Sequence, residues 1–375
     1  MWTTRAEPIP RGDRLLLIGG VAVLLAGITE SLGANWDVQW HIVVGPDTFF
    51  TAPHLMLYIG IAAGGIAALL VVLGNTFAGA GRAGPERTGA AGRTVTVFGT
   101  FAAPVGFLVV GLGAAGQLVY GLTDLWWHQV YGFDATLSSP PHVAMSLCSM
   151  TSAIGSIVVF AGLRRYRLGR IGLVVATANV LTGTPTLALA LMPFLGSAGF
   201  VLATVAAGVL GPNLVAAVLR APGWAALTGL GYSVLLVAVS VFAPWATASY
   251  AAAVGLPMRE FADNSLVQVV LIATWGVLGV ALLLELGLWA GRSRDLSPRR
   301  VVPALGALLA VGLALSYGLQ LTGSWFGAVI TVAAAPAGAL AGWLGWRWGA
   351  GLRGLDAAAA AGTPAAAREL ASQEA

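Results

Sequence analysis

Ten apolar runs, each long enough to cross a bilayer, dominate the sequence and leave little freedom in how it folds. A helix needs about twenty apolar residues to span the hydrocarbon core. With no water inside that core to satisfy N–H and C=O groups, helices or a closed barrel are the only spanning structures. Runs of this length and composition read as helices. They fall at about 14–34, 53–74, 95–120, 141–163, 170–194, 197–218, 223–246, 265–291, 300–321 and 326–346. Only 9% of residues are charged and mean hydropathy is +0.85, against about 25% charged residues in a soluble domain. The expected fold is an all-α integral membrane protein of about ten transmembrane helices.

The arginines fix the register of that count. The chain has no lysine and 19 arginines against 15 acids. A net charge of +4 would elsewhere suggest nucleic acid, but here the arginines sit in short loops. Basic residues collect in cytoplasmic loops. With ten spans and both termini cytoplasmic, all the arginines except Arg259 fall on the inner side. Asp37, Asp47, Asp124, Asp134, Glu260 and Asp263 all fall on the outer side. The cell membrane is the expected location, with no nucleic-acid partner. Arg5, Arg11 and Arg14 precede the first run, but no small-residue cleavage site closes it, so it reads as a retained helix. Cys148 stands alone, which rules out a disulfide within the chain.

All four histidines lie in two short stretches. Asp37 and His41 are four apart and His54 follows; Asp124 and His128 are four apart and His142 follows. When the two stretches are aligned, Trp40 meets Trp127, Gly45 meets Gly132, Asp47 meets Asp134 and Pro53-His54 meets Pro141-His142 after one inserted residue. Glu30 meets Gln117. Spans 1–2 and 3–4 therefore read as a duplicated helix–loop–helix hairpin, a parallel repeat. The organisation expected is 1–165 for the hairpins, 166–349 for a six-helix bundle and 350–375 for a flexible cytoplasmic tail.

Residues four apart on a helix share a face. Asp37 and His41 can thus point at one centre, as can Asp124 and His128, and each returning helix begins near His54 or His142. Two imidazoles and a carboxylate suit copper, zinc or iron. One site of two metals and two separate sites fit the spacing equally. A hydrogen-bonded or proton-handling cluster and a bis-histidine haem are the competing readings. A lone interfacial Asp–His pair is usually only a hydrogen bond. Two copies that absorb every histidine favour metal, because ionisable groups near the membrane are costly. Glu30, Gln117, Asp47, Asp134, Trp40 and Trp127 are candidates for the layer around the ligands. The aspartates among them also read as turn or cap residues, and the tryptophans as interfacial anchors. Met56, Met145 and Met150 read first as core packing. Glu285 is placed to pair with Arg292 or Arg294.

The spacing Asp37-x3-His41-x12-His54 resembles the metal motif in the C subunit of the copper-dependent particulate methane and ammonia monooxygenases; the second copy has one more residue before His142. The resemblance is confined to this motif. It implies copper held by Asp37, His41 and His54, with Asp124, His128 and His142 as a related set. It also implies a membrane oxidoreductase and partner membrane subunits. Metal storage or delivery, a cation- or proton-coupled transporter using the same cluster, and a structural subunit or homo-oligomer are the alternative roles. No lysine-containing phosphate loop and no Gly-x-Ser-x-Gly motif is present, which argues against nucleotide hydrolysis and serine-hydrolase chemistry.

Overall fold

A computed structural model describes residues 9–45, 48–77, 94–132, 137–259, 265–321 and 325–361. Among them, ten helices are long and apolar enough to cross a membrane. They are α1 (Arg11–Val43), α2 (Ala52–Phe77), α3 (Val105–Tyr131), α4 (Pro140–Gly162), α5 (Arg167–Ala190), α6 (Met192–Leu219), α7 (Trp224–Val254), α8 (Ser265–Ser293), α9 (Pro298–Leu321) and α10 (Trp325–Ala361). This is the all-α architecture expected of a multi-pass membrane protein. α10 continues to Ala361, into the stretch read as a tail from 350.

The third apolar run differs from expectation at its start. Residues 95–104 are not helical. β1 (Thr94–Val97) and β2 (Phe101–Pro104) pair antiparallel, with Thr94 opposite Pro104 and Val97 opposite Phe101. The Thr-Val-Thr-Val run is β-branched throughout, which disfavours helix. Phe98 and Gly99 both take positive φ at the turn, the signature of a tight hairpin. Two side chains at the end of α2 hold the hairpin. Asn75 Nδ2 donates to the Ala102 carbonyl at 2.8 Å, and Thr76 Oγ1 accepts from the Ala102 N–H at 3.0 Å.

α1 and α2 form one hairpin and α3 and α4 another, each closed by a tight crossing. In the first, a Cβ on Gly60 would stand 2.5 Å from the Glu30 backbone nitrogen. In the second, a Cβ on Gly113 would stand 2.5 Å from the Ser152 backbone nitrogen. Only glycine allows backbones this close. α5 packs on α1 and α4, and α7 packs on α1, so the later helices buttress the hairpins. One apolar core, with Leu17, Phe107, Phe160 and Leu173, joins the hairpins to α5 and α6. A second, with Tyr232, Leu284, Leu309 and Ile330, fills the space among α6 to α10.

Ion pairs pin the ends of helices away from the Asp/His stretches. Asp13 of α1 is buried, pairs with Arg165 and accepts from the Tyr166 hydroxyl at 2.6 Å. Glu285 of α8 accepts from the Ala225 N–H at 3.2 Å and lies 3.6 Å from Arg292, as the sequence suggested.

At 33 residues α1 is the second-longest of these helices. At 1.5 Å per residue it runs about 50 Å, well beyond the roughly 30 Å hydrocarbon core. A helix of this length is long enough to carry Asp37 and His41, in its last turns, to the boundary of a bilayer.

The Gly60 crossing should tolerate no side chain. Gly60→Val is expected to lower stability by about 1–3 kcal/mol, the usual cost of overpacking. Gly183→Ala, where a Cβ meets open space, should be neutral or slightly stabilising. Thermal unfolding in detergent checks both, and a Gly60→Val protein that melts with the wild type would refute the crossing.

Candidate metal centre

Each Asp/His stretch folds so that three side chains meet. The i, i+4 pair comes from the last turns of α1 or α3, and the second histidine from the first turn of α2 or α4. Pro53 and Pro141 sit in those first turns, where a missing N–H costs nothing. Asp37, His41 and His54 each present a ligand atom within 4.8 Å of the others, and so do Asp124, His128 and His142.

Asp37 Oδ1 lies 3.4 Å from His41 Nε2 and 3.0 Å from His54 Nε2. Both oxygens of Asp124 are used, Oδ2 at 3.4 Å from His128 Nε2 and Oδ1 at 3.4 Å from His142 Nε2. Ligands about 2.1 Å from one ion, at angles of 90–110°, are separated by roughly 3.0–3.4 Å. The observed spacings fall in that range.

His54 gives a further indication. Its Nδ1 is 3.1 Å from the Thr48 carbonyl. The Thr51 hydroxyl lies 3.3 Å from the same nitrogen; a ring that donates to the Thr48 carbonyl, which only accepts, carries its hydrogen on Nδ1. Nε2 then presents a lone pair to a carboxylate oxygen 3.0 Å away. Such a contact is stable only with a proton or a metal ion between the two atoms. Fixing a ligating histidine through its other nitrogen is a recurrent device of metal sites.

Both sets open into one cavity of about 800 Å³. Glu30 and Gln117 form part of its floor. Glu30 is buried, accepts from the Ser149 hydroxyl, and has the Gln117 side chain beside it. The two positions that match in the sequence alignment therefore face each other between the hairpins. Trp40 is 1% exposed and packs on Tyr250 of α7 at 4.9 Å between ring centroids. Trp127 is only partly buried and packs on Tyr131 at 4.3 Å. Met145 and Met150 line the cavity rather than a closed core, whereas Met56 does not line it. Met258 is exposed. Asp47, Asp134, Glu260 and Asp263 lie outside the described residues.

Sequence reasoning did not anticipate Ser31, Asn35, Asn179, Ser149 or Met192, all of which line the same cavity. Asn179 accepts from the Ser31 hydroxyl at 2.9 Å, linking α5 to α1. A lone amide inside the apolar α5 run was the available signal. No protein-family model, curated protein or solved structure matches the chain.

The two tryptophans should respond differently to truncation. Trp40→Ala is expected to cost about 3–5 kcal/mol, as for other fully buried large side chains, and Trp127→Ala distinctly less. Denaturant unfolding of the two variants measures the difference; equal losses would contradict the unequal burial.

Proposed function

We propose that the chain is a cell-membrane protein that binds a transition metal, copper ahead of zinc or iron, through its two Asp/His/His sets on the extracytoplasmic side. The observation that carries this reading is the pair of triads with ligand-like spacing opening into one cavity. Three observations favour copper. The spacing of residues 37–54 resembles the copper motif of the monooxygenase C subunits. Thioethers suit copper(I), and Met145, Met150 and Met192 line the cavity that holds every histidine of the chain. Imidazole pairs suit copper as well.

The arginine distribution supports cytoplasmic termini and outward-facing sets. The matched hairpins, with Glu30 opposite Gln117, support an origin by duplication. Three protein ligands leave a coordination position open, as catalytic sites do, and the open side faces a cavity with apolar walls. This favours an oxidoreductase role over storage alone.

A transporter would need polar groups leading onward to the arginine-rich end. Among the described residues, the void beneath Glu30 measures about 20 Å³, room for about one water. At the arginine-rich end of α1, Asp13 is already engaged by Arg165 and Tyr166. The described polar groups thus favour a site served from its outer side.

Elemental analysis of purified wild type beside His41→Ala and His128→Ala tests the reading. Copper is expected in the wild type, either as purified or after reconstitution. Loss of one equivalent per variant identifies two separate sites, and loss of all metal from either identifies a shared one. A wild type that holds no transition metal after reconstitution refutes the proposal.

A further inference from the structure

Beneath Glu30 the helices enclose a second, smaller space of about 20 Å³. Six of the fourteen residues around it are polar: Glu30 and Ser31 of α1, Ser149, Ser152 and Ser156 of α4, and Asn179 of α5. The three serines of α4 follow one another at three- and four-residue steps, which puts them on one helix face. That face is turned to α1, because the Ser149 hydroxyl donates to Glu30.

Glu30 is 8% exposed. Its hydrogen-bonding neighbours, Ser149 and Gln117, are neutral. Among the described residues, no arginine or histidine lines the void. A carboxylate taken out of water needs a proton or a cation beside it. The hydroxyls bear on the choice. Ser31 donates to Asn179 Oδ1 at 2.9 Å, Ser149 to Glu30, Ser152 to the Val110 carbonyl at 3.5 Å and Ser156 to the Ser152 carbonyl at 3.4 Å. With each hydrogen directed at a protein acceptor, these serines have only oxygen lone pairs left to offer. The remaining donor among the six residues is Asn179 Nδ2, which lies towards Gly27. A proton on Glu30 would neutralise the carboxyl and leave the serine oxygens unanswered. A water would answer the oxygens and bring no charge. A cation in the void satisfies both.

One carboxylate balances one unit of charge, and oxygen ligands suit hard cations. A void with room for about one water favours sodium over the larger potassium. We propose that the void binds a sodium ion, held by the Glu30 carboxylate and the serine oxygens of α1 and α4. Glu30, Ser31, Ser149 and Asn179 also line the large cavity, so the ion enters from the end that carries the Asp/His sets. It goes no further, because the buried side chains of α1 between Asp13 and Glu30 are all apolar. There the ion ties α1 to α4, one helix from each hairpin. The site uses no residue of either triad and stands apart from the metal reading.

Thermal unfolding of the full-length protein in detergent tests this, at fixed ionic strength and about pH 8, well above the ordinary range of a carboxyl. Compared with N-methyl-D-glucamine chloride, sodium chloride should raise the midpoint saturably, by about 2–4 °C once sodium is about tenfold above its Kd. Potassium chloride should give a distinctly smaller rise. Glu30→Gln, which keeps the side chain's size and removes its charge, should abolish the sodium response. Ser156→Ala removes one hydroxyl and leaves the carboxyl in place. It should raise the half-maximal sodium concentration by about tenfold, and it serves as the test should Glu30→Gln not fold. Metal content is measured on the same samples. A sodium response without bound transition metal supports this site and refutes the metal reading, and bound metal without a sodium response does the reverse. A midpoint that does not distinguish sodium from N-methyl-D-glucamine, an equal rise with potassium, or a Ser156→Ala protein that responds like the wild type would each overturn the proposal.

Discussion

The hydrocarbon core offers no hydrogen-bond partners, and that constraint organises this molecule. It forces the backbone into helices, after which every polar side chain must find a partner inside the bundle. Most do so locally. Thr177, Thr182, Thr204 and Thr228 each donate to the carbonyl four residues earlier. Asp13 and Glu285 are engaged by arginines at one end of their helices. The two Asp/His/His sets, Glu30, Gln117 and Asn179 all border one cavity. The two Asp/His/His sets are thus gathered, with these three polar side chains, in a single place.

That concentration depends on close helix crossings. Gly60 against Glu30 and Gly113 against Ser152 bring the helices of each hairpin into backbone contact. With the helices so close, the last turn of one and the first turn of the next share a rim, and the ligand spacings follow. The chemistry of the site is thus set by residues with no side chain at all, several turns below it.

Much of this was legible in the sequence, because hydropathy and charge act locally. The ten spans follow from run length. The triads follow from the i, i+4 spacing and a proline-marked helix start. The start of the third run was misread because a hydropathy window does not separate a buried helix from a β-hairpin; the β-branched Thr-Val-Thr-Val and the Phe-Gly turn carried the missing information. The contribution of α5 was not legible for another reason. Asn179 meets Ser31 across 148 residues, and nothing in the periodicity of either helix announces that contact.

The two sets share ligand types but not surroundings. On the first, Trp40 is sealed against Tyr250, Trp36 packs edge-on to Phe242 at 5.8 Å, and the Arg259 N–H donates to the Val43 carbonyl at 2.7 Å, so α7 and the segment after it clamp the end of α1. On the second, Trp126 and Tyr131 are more than half exposed, and among the described residues no helix after α4 packs extensively on α3. The floor is unequal as well, with a carboxyl on one hairpin and an amide on the other. Groups beyond the ligands set the orientation and charge that a metal experiences. A metal ion in the first set would therefore meet a clamped site on the hairpin that carries Glu30, and one in the second a freer site on the hairpin that carries Gln117. Such an arrangement suits division of labour between two similar centres better than simple repetition. The broken symmetry at Glu30 and Gln117, more than the matching ligands, separates the surroundings of the two halves.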